Sequence, residues 1–130
     1  MATALIVDDE SVPRDVLARW LTTAGIDART APDAVSALAL MQDMPPDVAV
    51  VDVRMPGQDG MWLADQIRNH FPETAIVVYS GLADLDVALW CLRDEVFGYL
   101  VKPFSREQFE ETVGRAIRWH AETIGLAQFN

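Results

Sequence analysis

Asp8 and Asp9 stand side by side after a short apolar run, Leu5-Ile6-Val7, and Asp52 ends a second run, Val48-Ala49-Val50-Val51. Adjacent carboxylates that share a crevice repel one another unless a cation or a proton relieves them. Their oxygens are hard ligands of the kind that suit Mg²⁺; the plainer use of the pair is that one member caps the helix that follows. Ser80 ends a third run, Ile76-Val77-Val78-Tyr79, and Lys102 a fourth, Tyr99-Leu100-Val101. In an open parallel sheet the strand ends point one way and ligands bind in the crevice outside them. One amine, one hydroxyl and three carboxylates are therefore expected to converge. Each piece alone has a bland reading: Asp52 in a turn-forming acidic loop, Ser80 as a helix cap, Lys102 as a surface lysine before a proline. Order and strand-end placement together make the set specific.

The elements that would position these residues alternate in a βαβ rhythm. Strands are expected at about residues 4–7, 27–31, 47–51, 75–79 and 97–101. Their apolar runs suit a parallel sheet covered by helices on both faces, with the more polar second strand at an edge. The first helix is expected from about Val12 to Ala24, with Val16, Leu17, Trp20, Leu21 and Ala24 on one stripe and Gly25 as its stop. The second follows a cap at Asp33 and ends before Pro45-Pro46. The third follows Gly60, turns Leu63 and Ile67 inward and ends near Phe71-Pro72. The fourth lies between Ala83 and Arg93, and the fifth starts after Ser105 with Phe109, Val113 and Ala116 on its apolar side. In the loop after Asp52, Pro56-Gly57 fits the central positions of a type II turn, where glycine supplies the positive φ.

A chain of 130 residues fits one domain with a real core. Ten basic against twenty acidic residues give a net charge of −10, a field that repels nucleic acid and anionic membrane. The single cysteine, Cys91, excludes an internal disulfide. No stretch is apolar enough to span a bilayer, and the start lacks the pattern of a signal peptide, so a cytoplasmic location is expected. Cys91, His70 and His120 lack zinc-ligand spacing and read as structural or surface residues.

In this order, Asp8-Asp9, Asp52, Ser80, Tyr99 and Lys102 resemble the acidic pair, phosphoacceptor, hydroxyl residue, aromatic switch and lysine of the receiver domains of two-component response regulators. The resemblance covers about residues 4–118, and Asp52-Val53-Arg54-Met55-Pro56-Gly57 is similar to receivers joined to transcriptional effectors. It implies a flavodoxin-like, doubly wound α/β fold: a five-stranded parallel sheet of order 2-1-3-4-5 with five helices. Residues 1–120 would form the receiver domain and 121–130 a C-terminal helix extension or the start of a linker. Asp52 would take a phosphoryl group from a histidine kinase or phosphotransfer protein. Asp9, Asp52 and the main-chain carbonyl of Arg54 would hold Mg²⁺, with Asp8 acting through a water. Lys102 and Ser80 would bind phosphoryl oxygens. Ser80 would then move inward, Tyr99 would fill the vacated space, and the surface of the fourth helix, fifth strand and fifth helix would change for a downstream effector. Such a domain assists its own phosphorylation and dephosphorylation but is a signalling domain rather than an enzyme.

Two other readings compete. A phosphatase of the haloacid dehalogenase kind also uses a strand-end aspartate and Mg²⁺, but needs a second aspartate two residues on, where this chain has Arg54. A receiver-like interaction module would signal without phosphate, against the intact set of Asp9, Asp52, Ser80 and Lys102.

Further expectations are local. The resemblance implies a cis peptide between Lys102 and Pro103, and places Glu95 in a helix exit where relatives carry glycine. In the fourth helix Leu82, Leu85, Leu89 and Leu92 define a core side, which leaves Ala83, Val87 and an exposed Trp90 opposite as a partner or dimer contact. The last helix should continue past His120. Its apolar residues Trp119, Ile124, Leu126 and Phe129 would then need another surface, for which a second copy of the chain is the favoured cover.

Overall fold

The computed structural model describes residues 1–55, 57, 59–81, 87, 90, 91, 93 and 96–128, with side chains through Gly125. Five strands, β1 (Thr3–Val7), β2 (Asp27–Ala31), β3 (Val48–Asp52), β4 (Ala75–Ser80) and β5 (Gly98–Val101), form one parallel sheet in the order β2-β1-β3-β4-β5. This is the expected topology. Register aligns Val7 with Val51, Asp52 with Tyr79 and Ser80 with Val101, so Asp8, Asp52, Ser80 and Lys102 all arrive at one edge.

Alternation divides the sheet between two cores. Leu5, Val7, Ala49, Val51, Ile76 and Val78 face α2 (Ala34–Asp43) and α3 (Gly60–His70); Ala4, Ile6, Val48, Val50, Val77 and Tyr79 face α1 (Ser11–Thr23) and the C-terminal helix (Arg106–Gln128). Burial on both faces is why β1, β3 and β4 read as unbroken apolar runs. The edge strand β2 is half exposed, which its polar sequence Asp-Ala-Arg-Thr-Ala permits.

Local chemistry fixes the helix ends. Gly25 at φ +87° ends α1, with its N–H on the Thr22 carbonyl at 3.0 Å and that of Ile26 on the Leu21 carbonyl at 2.9 Å. Asp33 caps α2 by accepting from the Ser36 N–H at 2.7 Å, and Asp59 caps α3 from the Trp62 N–H at 2.9 Å. Ser105 and Gln108 form a reciprocal capping box at the last helix, with bonds of 3.0 and 2.9 Å. The stripe expected on α1 is narrower than its sequence suggests. Leu17 and Leu21 are buried and Trp20 packs at 5.8 Å from Phe109, but Val16 and Ala24 are exposed.

Four helices have stated bounds among the described residues, against five expected. Of the fourth expected helix, Val87, Trp90, Cys91 and Arg93 are described and helical, whereas Leu82, Ala83, Leu85, Leu89, Leu92 and Glu95 lie outside the described residues. Val87 corrects the assignment of faces. It is buried together with Cys91, one turn on, and both join the core on the α2 and α3 side of the sheet. Trp90 is half buried against the same core rather than exposed.

The C-terminal helix buries Phe109, Val113 and Ala116 and runs past His120, as expected. Beyond Ala116 the cover is partial, and Trp119 remains exposed. The Trp119 ring lies 6.2 Å from that of Phe97, and Ile124 borders a cavity of about 470 Å³ with Pro45, Pro46 and His120. The Leu126 side chain and Phe129 lie outside the described residues. No described helix is long and apolar enough to cross a membrane.

Candidate functional site

Asp8 and Asp52 are buried at the mouth of the sheet and Asp9 is exposed beside them. One carboxylate oxygen from each lies within 4.8 Å of the others. Asp8 does not cap α1 in the ordinary way. Its Oδ1 accepts from the Glu10 N–H at 2.9 Å, its Oδ2 from the hydroxyl of Tyr79, and its main-chain carbonyl from Arg14 Nη1 at 2.9 Å. Glu10 is the N-cap residue and makes no side-chain cap bond.

Asp52 is presented by a tightly folded loop. Its Oδ1 accepts from the Arg54 N–H at 3.2 Å, and the Val53 N–H bonds to the Tyr79 carbonyl at 3.0 Å. Gly57 has φ +74°, the conformation expected of it in the turn. Gly60 then brings α3 back across the loop, its N–H on the Val53 carbonyl at 3.0 Å. A Cβ at Gly60 would stand 2.1 Å from the Asp52 carbonyl oxygen and 2.8 Å from Val53 Cα, so glycine is required there.

The crevice itself is a cleft of about 430 Å³ lined by Glu10, Asp52, Arg54, Ser80, Gly81 and Lys102. Ser80 is buried, and its carbonyl accepts the Lys102 N–H at 2.8 Å. The Lys102–Pro103 peptide is cis, as expected. Lys102 Nζ lies 4.9 Å from the centroid of the Tyr79 ring. Tyr99 is half buried on the opposite face of the sheet, aligned with Val78. Thus Asp8, Asp9, Asp52, Ser80, Lys102 and Arg54 share the mouth, and Tyr99 stands apart from it on the α2 and α3 side.

Burial pushes the Asp52 carboxyl up to about 6, and the neighbouring Asp8 charge adds to the rise; the Arg54 N–H and Lys102 oppose it, and Asp9 raises it further. Burial also pushes the Tyr79 phenol well above its ordinary value, reinforced by its bond to Asp8 and by the surrounding carboxylates. Tyr79 is therefore a hydrogen-bond donor at any ordinary pH. Neither the role of the Tyr79 hydroxyl nor the steric need for Gly60 is legible in the sequence. Alternation identifies Tyr79 as a core residue, but only its length carries the hydroxyl to Asp8.

Two buried carboxylates and an exposed one, with an ammonium and a hydroxyl around one cleft, can hold a hard cation and an anionic group side by side. A family model described as the response regulator receiver domain matches residues 4–114. The DNA-binding transcriptional regulator NtrC of Klebsiella pneumoniae is 38% identical over 119 residues, which is 92% of this chain and 25% of that protein. The regulatory protein AtoC of Escherichia coli K12 is 33% identical over 88% of this chain and 25% of its own length. This chain thus spans about a quarter of the length of these curated relatives. Among solved structures, NtrX from Brucella abortus, crystallised with ADP, superposes with a TM-score of 0.93 at 32% identity, over 100% of this chain and 30% of that one. A CheY-like receiver protein from Methanospirillum hungatei, at 21% identity, shares the fold with a TM-score of 0.89 over 95% of this chain and 98% of its own. The sheet order, the strand-end residues and these matches agree, and the chain belongs to the response regulator receiver domain family.

Proposed function

We propose that this chain is a phosphorylation-dependent receiver in which Asp52 accepts a phosphoryl group from a histidine kinase or phosphotransfer protein. The observation that carries the reading is the convergence of Asp8, Asp9 and Asp52 within 4.8 Å, with Ser80 and Lys102 lining the same cleft as Asp52. A carboxylate oxygen of Asp52 attacks phosphorus, the bond between phosphorus and the donor imidazole nitrogen breaks, and the electron pair remains on that nitrogen. An acyl phosphate results. Lys102 neutralises one phosphoryl oxygen and the Ser80 hydroxyl donates to another, so that positioning and charge stabilisation supply most of the catalysis.

The clustered oxygen donors fit Mg²⁺; Asp9, Asp52 and the Arg54 carbonyl would hold it directly and Asp8 through a water. When bound, the ion screens the carboxylates and neutralises charge on the transferring group. Inward movement of Ser80 draws Tyr99 after it, and the surface made by the segment around Val87–Arg93, β5 and the C-terminal helix changes between two packings. Its reader is an effector domain or protein. The relatives' names support a transcriptional output, whereas the net charge of −10 argues against direct nucleic-acid or membrane contact by this chain. We place the chain in the cytoplasm as a signalling domain rather than an enzyme. Its receiver unit is residues 1–120, and residues 121–130 serve as a C-terminal helix extension or the start of a linker, for which a second copy of the chain is the favoured cover.

Incubation with a small acyl phosphate and Mg²⁺ tests the reading by intact mass. Wild type should gain one phosphoryl group, chelation of Mg²⁺ should suppress the gain, and Asp52→Asn should show none. Comparison of oligomeric state with a chain ending at Trp119 tests the pairing; two monomers would remove it.

A further inference from the structure

Tyr79 takes no part in the chemistry above, yet its side chain meets two residues of the site, Asp8 and Lys102. On β4, alternation turns it away from Ser80 and into the core shared by α1 and the C-terminal helix. Phe104 meets its ring edge-on at 5.9 Å, and Lys102 places its ammonium 4.9 Å from the ring centroid. Only the hydroxyl leaves this apolar setting, and it donates to Asp8 Oδ2. The other Asp8 oxygen accepts from the Glu10 N–H at 2.9 Å. Both oxygens of a fully buried carboxylate are thereby hydrogen-bonded.

We propose that Tyr79 is a positioning residue for the cation site: its hydroxyl holds the Asp8 carboxylate beside those of Asp9 and Asp52 and so raises the affinity for Mg²⁺. Three carboxylates gathered within 4.8 Å push one another apart. Held by one bond, Asp8 can turn about its Cβ–Cγ bond to relieve that repulsion; held by two, it cannot. Partners behind a ligand commonly govern metal affinity in this way. Packing alone does not call for the hydroxyl. Ile6, Val50 and Val77 fill the same core face with hydrocarbon, and a buried phenol costs stability unless its O–H is bonded. The ring and the hydroxyl have separable roles, because the ring faces Lys102 and the hydroxyl faces Asp8.

The inference rests on the reading of Asp8, Asp9 and Asp52 as the Mg²⁺ site, and calorimetric titration with Mg²⁺ separates the two. The samples are the whole wild-type chain, Tyr79→Phe, Asp8→Ala and the double variant. Tyr79→Phe keeps the ring, its packing and its contact with Lys102. It should bind Mg²⁺ about tenfold more weakly than wild type, the low end of the usual effect of losing a partner behind a ligand. In the Asp8→Ala background the same substitution should produce no further loss. Affinity of Tyr79→Phe within about twofold of wild type, or tighter, would overturn the inference and leave the hydroxyl a packing role. An equal loss in the Asp8→Ala background would also overturn it. Absence of Mg²⁺ binding by wild type would instead bring down the site reading, and this inference with it.

A readout on the unsubstituted residue covers the case in which Tyr79→Phe does not fold. The chain has two tyrosines, so comparison with Tyr99→Phe identifies the ¹³C resonance of the Tyr79 hydroxyl-bearing carbon. That resonance should shift in wild type as Mg²⁺ is added, and a resonance that stays fixed while Mg²⁺ binds would contradict the inference.

Discussion

His120, two turns beyond the last large buried residue of the C-terminal helix, holds Asp47 at the foot of β3, with Nε2 3.1 Å from Oδ1. Its Nδ1 lies 2.5 Å from the Glu73 carbonyl in the turn before β4, and Asp47 Oδ2 accepts the Thr3 N–H at 3.1 Å. One side chain thus ties the helix to the starts of β1, β3 and β4, at the end of the sheet opposite Asp52. His120→Ala should lower stability by about 1 kcal/mol, the size of a partly exposed hydrogen-bonded pair. Proteolysis should move to the helix beyond Trp119, while phosphorylation of Asp52 is retained. Melting curves and peptide mapping after brief protease treatment check this; unchanged cleavage would show that the apolar contacts alone hold the helix.

The carboxyl of Asp52, pushed up to about 6, makes the metal-free protein sensitive to pH. Its ordinary value is about 3.9, so the folded state holds this proton more tightly than the unfolded chain. The associated stability is present in full below pH of about 4 and is lost as pH rises through about 6. Asp52→Asn removes the charge. In chelator, the variant should therefore melt above wild type at neutral pH, by the equivalent of about 1–2 kcal/mol after allowance for screening at the open cleft, and the gap should close in acid. A gap that does not depend on pH would contradict the cause given for the shift.

Asp9 is exposed, and its carboxylate oxygen belongs to the cluster of three. Asp9→Ala should leave the metal-free melting temperature close to that of wild type. Mg²⁺ at about a hundredfold excess over its dissociation constant should stabilise wild type by about 2.7 kcal/mol and the variant by much less. An undiminished response in Asp9→Ala would move the ion elsewhere.

Gly60 is a steric requirement of the site. The Cβ of an alanine would meet the Asp52 carbonyl oxygen at 2.1 Å, which backbone on both sides must yield to admit. Gly60→Ala should cost about 2–3 kcal/mol and slow phosphorylation of Asp52 by displacing its loop. Denaturant unfolding measures the first effect and phosphorylation rate the second; a stable, fully active variant would show that α3 can retreat from the loop without consequence.

The sheet was legible because its signals are local and redundant. Burial on both faces leaves β1, β3 and β4 as apolar runs, Gly25, Asp33 and Ser105 mark helix ends, and strand direction brings Asp8, Asp52, Ser80 and Lys102 to one edge. What escaped depends on distances between elements. The Tyr79 hydroxyl reaches Asp8 across 71 residues of sequence, and His120 reaches Glu73 across 47. The buried position of Val87 is hidden in the sequence because four leucines at helical spacing draw the stripe away from it, while its neighbour Cys91 carries no pattern signal.

The location of the phosphoryl group tests the central claim most directly. After reaction with an acyl phosphate donor, borohydride reduces an aspartyl phosphate to homoserine and fixes the position for peptide mass mapping. Homoserine should be found at Asp52, and none should form in Asp52→Asn under the same conditions. Modification at Asp8, Asp9 or a hydroxyl residue with Asp52 intact would contradict the assignment of Asp52 as phosphoacceptor.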